Sequence, residues 1–245
     1  MFQQYFQKLN SLLAEVEKNE AKAIETAGRE IARCIQQNGI IHVFGCGHSH
    51  ILGEELFYRA GGLVPVSPIL VEDLMLHKGA VRSSKLEKDE HLAEKVMAKV
   101  DIRPEDVVIV VSTSGRNPVP IDVARIAKDM GAFVIGITSP RYAETQPSRH
   151  HSGKYLFQSV DLVIDNHIEV GDALMEAENL DVSFGTGSTV IGTAIANGIM
   201  VEAVEEMIQD GFAPPIFKSG NVDGAEQHNQ ELIDKYKSRI PLLVR

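Results

Sequence analysis

The sequence predicts an α/β fold built on a parallel sheet with helices on both faces. Short apolar runs such as Val107 to Val111 (VVIVV) show no apolar/polar alternation, as expected of strands buried on both sides. These runs alternate with segments of helical periodicity, the pattern of successive βαβ units. Two of the runs end in glycine- and hydroxyl-rich turns that lead directly into helices, GCGHS at 45–49 and STSGRN at 112–117. In open sheets of this kind, ligands sit at the carboxyl ends of the strands near the topological switch point.

The elements follow in order. Residues 2–37 carry apolar residues at helical spacing (Phe2, Phe6, Leu9, Leu12, Leu13, Val16, then Ala23, Ile24, Ala27, Ile31, Ile35) and predict a long N-terminal helix, with Gly39 as its C-cap. Ile40 to Phe44 is a strand. A helix capped by Ser49 then runs to about Ala60. Leu63 to Val71, broken by Pro65 and Pro68, holds one short strand. Residues 72–85 read as loop and Leu86 to Val100 as helix. Val107 to Val111 is a buried strand, Pro118 to Met130 a helix closed by Gly131, and Phe133 to Thr138 a strand. Ser139 to Gly153 reads as a long loop, and Asp161 to Asp165 as a strand. Asp172 to Phe184 has no clear period. Thr189 to Gln209 is a long helix, and the tail from Gly211 is irregular up to Asn229.

Composition narrows the function. A chain of 245 residues, 44% apolar, fits one large domain better than two. Met1 is not followed by a charged segment and an apolar core, so no secretory leader is expected, and no apolar run approaches a membrane span. The only cysteines are Cys34 and Cys46, usage that suits a reducing cytoplasm and gives no disulfide framework. A formal net charge of -10 argues against non-specific nucleic-acid binding. It leaves room for a small anion at a locally positive site. No spacing of His and Cys points to a metal, and no cofactor is expected; the adjacent His150 and His151 do not make a site.

The two turns carry the functional signal. Helix N-termini have free N–H groups and a partial positive charge, so they attract anions. Taken singly, each turn is an ordinary cap. Two in one sheet, one with the consecutive hydroxyls Ser112, Thr113 and Ser114, point to a phosphate. A dinucleotide site fits less well, because the third glycine of G-x-G-x-x-G would fall on His50. Arg116 either reaches the ligand anion or sits on the surface. Cys46 lies near a helix start, where thiols are activated, but a small packing residue is the simpler role.

Three segments together resemble the sugar isomerase (SIS) domain family. They are GCGHS at 45–49, VVSTSGRNPVPIDVARIAKDMGAFVIGITS at 110–139 and FGTGSTVIGTAIANGIMVEAV at 184–204. The resemblance is nearest to phosphoheptose isomerase and N-acetylmuramic acid 6-phosphate etherase. It implies a flavodoxin-like, five-stranded parallel sheet and an N-terminal helix packed on a partner subunit, hence a homodimer or homotetramer. It divides the chain into an N-terminal helical segment (1–38), an SIS domain (39–210) and a C-terminal tail of the same domain (211–245). The implied ligand is a phosphorylated sugar. Gly47, Ser49, Ser112, Thr113, Ser114 and Gly115 would hold its phosphate, and Ser188 and Thr189 would border the sugar.

Catalysis is a separate question. Aldose–ketose isomerisation needs a base to move a proton between C1 and C2, and a group to open the ring. The resemblance puts a glutamate ten residues after the first-loop serine, where this chain has Arg59, and a guanidinium is no base near neutral pH. Glu55, one turn earlier on the same face, either supplies the carboxylate or simply pairs with Arg59 at i, i+4. His228, in the polar tail beside Glu226, either opens the ring, reaching a neighbouring subunit as in relatives, or is a surface histidine. Two expectations follow: a sugar-phosphate isomerase or related lyase, or a non-catalytic phosphosugar sensor or assembly partner.

Overall fold

The computed structural model describes residues 1–244. Five strands form one parallel sheet: β1 (Ile41–Gly45), β2 (Val66–Pro68), β3 (Val107–Val111), β4 (Phe133–Thr138) and β5 (Leu162–Asp165). Their order is β2-β1-β3-β4-β5, the flavodoxin-like arrangement, with every neighbour parallel. The switch point lies between β1 and β3, the two strands whose tips carry the glycine- and hydroxyl-rich turns.

Nine helices surround it: α1 (Phe2–Asn19), α2 (Ala21–Gln36), α3 (Ile51–Leu56), α4 (Ala80–Leu86), α5 (Leu92–Met97), α6 (Pro118–Asp129), α7 (Tyr142–Thr145), α8 (Ser188–Gln209) and α9 (Ala225–Tyr236), all among the described residues. The strand residues alternate between two cores. Ile41, Val43, Val107, Ile109, Ile135 and Ile137 face α2 and α8, while Phe44, Val108, Val110 and Val134 face α5 and α6. Both faces are dry, which is why VVIVV shows no alternation; each such side chain contributes roughly 1.5–3 kcal/mol on burial. Helices α2 and α8 pack closely enough that a Cβ on Gly28 would lie 2.7 Å from the Cβ of Glu202.

The N-terminal helical segment is interrupted at Glu20 rather than continuous over 2–37. The Glu20 carboxylate accepts from the Asp165 N–H at 3.2 Å and lies 3.1 Å from His167 Nε2, so the joint sits where this side chain reaches the β5 tip. Asn38 (φ 61), not Gly39, takes the left-handed position that ends α2. Helix α3 starts after a 3-10 turn, Gly47–His50, and stops at Leu56, short of the expected Ala60. Of the helix expected over 86–100 only α5 forms, while the expected loop 72–85 holds most of α4. Between them an Asp89 carboxylate takes the His91 N–H at 2.9 Å. The expected loop 139–153 contains α7. The unassigned 172–184 segment forms an antiparallel hairpin, β6 (Met175–Ala177) and β7 (Leu180–Phe184). Helix α9 begins at Ala225, four residues before the expected Asn229. No helix among the described residues is long and apolar enough to cross a membrane.

Candidate functional site

Sheet register builds the site. Gly45 pairs with Val111, Val111 with Ile137 and Thr138 with Asp165, so four strand tips end level. The loops beyond them open on a shallow cleft at the start of α8, bordered by Ser49, Thr113, Asn166, Ser188 and Thr189. Residues drawn from distant segments of sequence therefore meet in one place.

The hydroxyls play different parts there. Ser112 is buried, and its Oγ accepts the Gly115 N–H at 3.3 Å, so it shapes the loop from inside. Thr113 borders the cleft; its Oγ1 accepts from Asn166 Nδ2 at 3.2 Å, and its carbonyl takes the Ser139 N–H at 2.9 Å. Ser114 is half-buried next to it. Gly115 has φ 57, and a Cβ there would lie 2.6 Å from Thr138 Oγ1; only glycine fits this turn without strain. Gly47 is likewise left-handed (φ 55) and opens the 3-10 turn that presents Ser49.

The start of α8 is already occupied by a carboxylate of the chain itself. Asp172 accepts the N–H groups of Gly187 (3.0 Å) and Ser188 (2.8 Å) and the Ser188 hydroxyl at 2.6 Å. Such a cap satisfies the free helix N–H groups and complements the helix dipole. The Ser188 hydroxyl is thus committed to Asp172, and of this pair Thr189 is left to face the cleft. Asn166 and Asp172 were not singled out from the sequence. Asn166 directly follows β5, and the rule that strand tips hold ligands would have found it. Asp172 reaches α8 only through the tertiary fold.

Arg116 does not simply sit on the surface: it is half-buried and bonded to a neighbouring loop. Its Nε donates to the Pro147 carbonyl (2.9 Å) and its Nη1 to Gln146 Oε1 (3.0 Å), clamping the loop after α7 onto the 112–117 loop. Arg149 donates to Asn117 Oδ1 at 3.0 Å. Neither guanidinium has a carboxylate in ion-pair range among the described residues. Burial, then the charge of Arg149, lowers the Arg116 pKa. Both guanidinium groups thus lie beside the 112–117 loop, and the charge of Arg149 also acts on the buried Glu87 carboxyl. Cys46 is a packing residue: it is buried, and burial pushes its thiol pKa well up, the reverse of activation. His150 is buried too, with Nδ1 2.7 Å from Ser152 Oγ and Nε2 3.2 Å from Asp122.

The two candidate catalytic residues stand apart from this cleft within one chain. Glu55 is bound by Arg59 and accepts from Asn197 Nδ2 at 3.2 Å, facing α8. His228 Nε2 donates to the Ile216 carbonyl at 2.9 Å. Ile216 in turn bridges to Leu63, ahead of β2, and α9 packs on Ile40 and Val64 at the amino ends of β1 and β2. His228 therefore sits at the opposite end of the sheet from Thr113.

Comparison with known proteins agrees with the fold. A UPF0309 protein of Halalkalibacterium halodurans is 55% identical over 99% of this chain and 97% of its own length. One from Geobacillus kaustophilus is 56% identical over 100% of this chain and 97% of its own. Among solved structures, a phosphoheptose isomerase from Francisella tularensis superposes with a TM-score of 0.50 at 16% identity, covering 82% of this chain and 96% of that one. An Escherichia coli protein solved in complex with a phosphosugar gives a TM-score of 0.51 at 16% identity, covering 86% and 90%. The family model for the SIS domain matches residues 4–139. With that match spanning more than half of its length, this chain belongs to the SIS domain family.

Proposed function

We propose that this protein binds a phosphorylated sugar at the strand tips, with the phosphate between the 47–49 and 113–115 loops. The observation that carries this reading is the convergence of Ser49, Thr113 and Thr189 on a cleft at the start of α8, where the Asp172 carboxylate is already held by three hydrogen bonds. Hydroxyls and loop N–H groups with no free carboxylate among them suit an anion. Arg116 and Arg149 add positive charge beside it. The E. coli structural neighbour was solved with a phosphosugar bound, and the Francisella neighbour is a phosphoheptose isomerase, which supports a phosphosugar as the ligand class.

An isomerase or related lyase is the second reading. It needs Glu55 to move the proton and His228 to open the ring, and His228 can serve only from a second copy. Phe2 and Phe6 on α1 are 72% and 59% exposed, and Val182 on β7 is 64% exposed. Apolar side chains so exposed favour a homodimer or homotetramer. Incubation with a panel of pentose, hexose and heptose phosphates in deuterated water tests both readings. Binding broadens the phosphorus resonance of the true ligand, and isomerisation exchanges its C2 proton for deuterium. No broadening with any sugar phosphate overturns the first reading; binding without exchange overturns the second and leaves a sensor.

A further inference from the structure

A second concavity lies elsewhere, on the α5 side of the sheet over β1 and β2, and has a volume of about 690 Å³. That is the size range of small-molecule sites. Its floor is His42, its walls include Ile69 and Val96, and the C-terminal segment at Pro241 and Leu242 closes one side. The site is independent of the strand-tip cleft.

His42 is 2% exposed and its ring is fixed from one side. Its Nε2 lies 3.3 Å from Asp106 Oδ2. Burial alone would raise the Asp106 pKa, but hydrogen bonds from His42, Arg239 and the N–H groups of Ile40 and Arg103 hold it well below the usual carboxylate range. The Asp106 carboxylate accepts from Nε2, so Nδ1 is the ring nitrogen left for a further partner. That Nδ1 is buried and has no hydrogen-bond partner among the described residues. Buried polar atoms of this kind are uncommon and cost free energy. Ser67, the register partner of His42 on β2, stands beside it on the same face.

The charges of the cleft are unevenly satisfied. Glu72 pairs with Lys78, Asp73 with Arg82, and Asp101 with Arg103 and Arg239. Lys95 on α5 and Lys99 just beyond its end, both on the rim, form no ion pair among the described residues. The unneutralised charge is positive, in a protein whose net charge is -10.

We propose that this cleft is a second ligand site, for a small organic anion with a flat apolar body and an N–H or O–H group. The body lies against Ile69, Val96 and Leu242, the anionic group meets Lys95 and Lys99, and the donor reaches His42 Nδ1. Arg239 couples the site to the C-terminal segment, because its guanidinium spans Asp106 (2.8 Å) and the Asp101 carbonyl (2.8 Å).

The dye 8-anilinonaphthalene-1-sulfonate carries all three features and is the probe. It is titrated into the full-length protein by fluorescence, with the ring nitrogens of His42 followed by long-range proton–nitrogen NMR. The expected result is saturable binding that shifts His42 Nδ1. Affinity falls about tenfold or more in the exposed-site double variant K95E/K99E. It is lost in Leu242→Trp, which fills the cleft and leaves its charges intact. Absence of saturable binding, unchanged affinity in K95E/K99E, or unmoved His42 nitrogens at saturation would each overturn the proposal. An Nδ1 that the dye leaves bonded to a trapped water belongs to the last outcome.

Discussion

Gly115→Ala tests whether the 112–117 loop, the proposed phosphate site, works through its shape. The residue has φ 57, where a side chain with a Cβ costs about 1–2 kcal/mol. The new methyl would lie 2.6 Å from Thr138 Oγ1 and 3.3 Å from Leu156 Cβ. Both neighbours are 0% exposed, one in a central strand, so neither can move aside freely. Overpacking of that kind costs about 1–3 kcal/mol. The two terms together predict a loss of about 2–5 kcal/mol, read as a lower urea midpoint at unchanged slope. The distorted loop should also weaken sugar-phosphate binding. Thr138→Ala removes the clashing oxygen and leaves only the dihedral strain and the Leu156 contact. The double variant should therefore be more stable than the sum of the single losses, by about 0.5–3 kcal/mol of coupling. A Gly115→Ala protein with the wild-type midpoint, or strict additivity in the double variant, would refute the reasoning.

Other expectations rest on separate parts of the structure. Asp172→Ala should cost about 0.5–2 kcal/mol by uncapping α8, visible as a lower melting temperature, whereas an Asp172 that matters only as a base would leave stability unchanged. Asp106→Ala should cost about 3–5 kcal/mol, because it strands Arg239 and His42 in a buried site. Since the folded pKa of Asp106 is depressed, its contribution is fully present above about pH 4, the unfolded value, and is lost as pH falls towards the folded one. The wild-type melting temperature should thus drop below about pH 4, and the drop should be smaller in the Asp106→Ala protein. Burial pushes the Cys34 thiol up to about 12, and Cys46 is raised as well. Iodoacetamide at pH 8 should therefore label neither until the protein unfolds.

Strands with two buried faces were the most legible part of the chain, because VVIVV and FVIGIT can satisfy their side chains only inside a covered sheet. The glycine and hydroxyl turns were legible for a local reason as well: Gly47 and Gly115 take left-handed dihedrals that any residue with a Cβ resists. What stayed hidden depends on contacts made over long sequence distances. The break at Glu20 coincides with bonds to Asp165 and His167, and the Asp172 cap joins a loop to a helix start through the fold. The hairpin of β6 and β7 was obscure because the residues of β7 are mostly exposed and carry no inside–outside pattern. Arg116 could be assigned only once its two loop acceptors were known.

Calorimetry on matched pairs of sugars tests the central claim most directly. Each member of a panel of sugar phosphates is titrated alongside its unphosphorylated counterpart. Each charge-assisted hydrogen bond to phosphate contributes about 1.5–3 kcal/mol, and every 1.4 kcal/mol is about tenfold in affinity. With two or more such bonds from the 47–49 and 113–115 loops, the phosphorylated member should bind about 100-fold more tightly or better. Thr113→Val should erase about tenfold or more of that preference. Equal affinity within every pair, or a preference that survives in Thr113→Val and Gly115→Ala alike, would contradict a phosphate site at the strand tips.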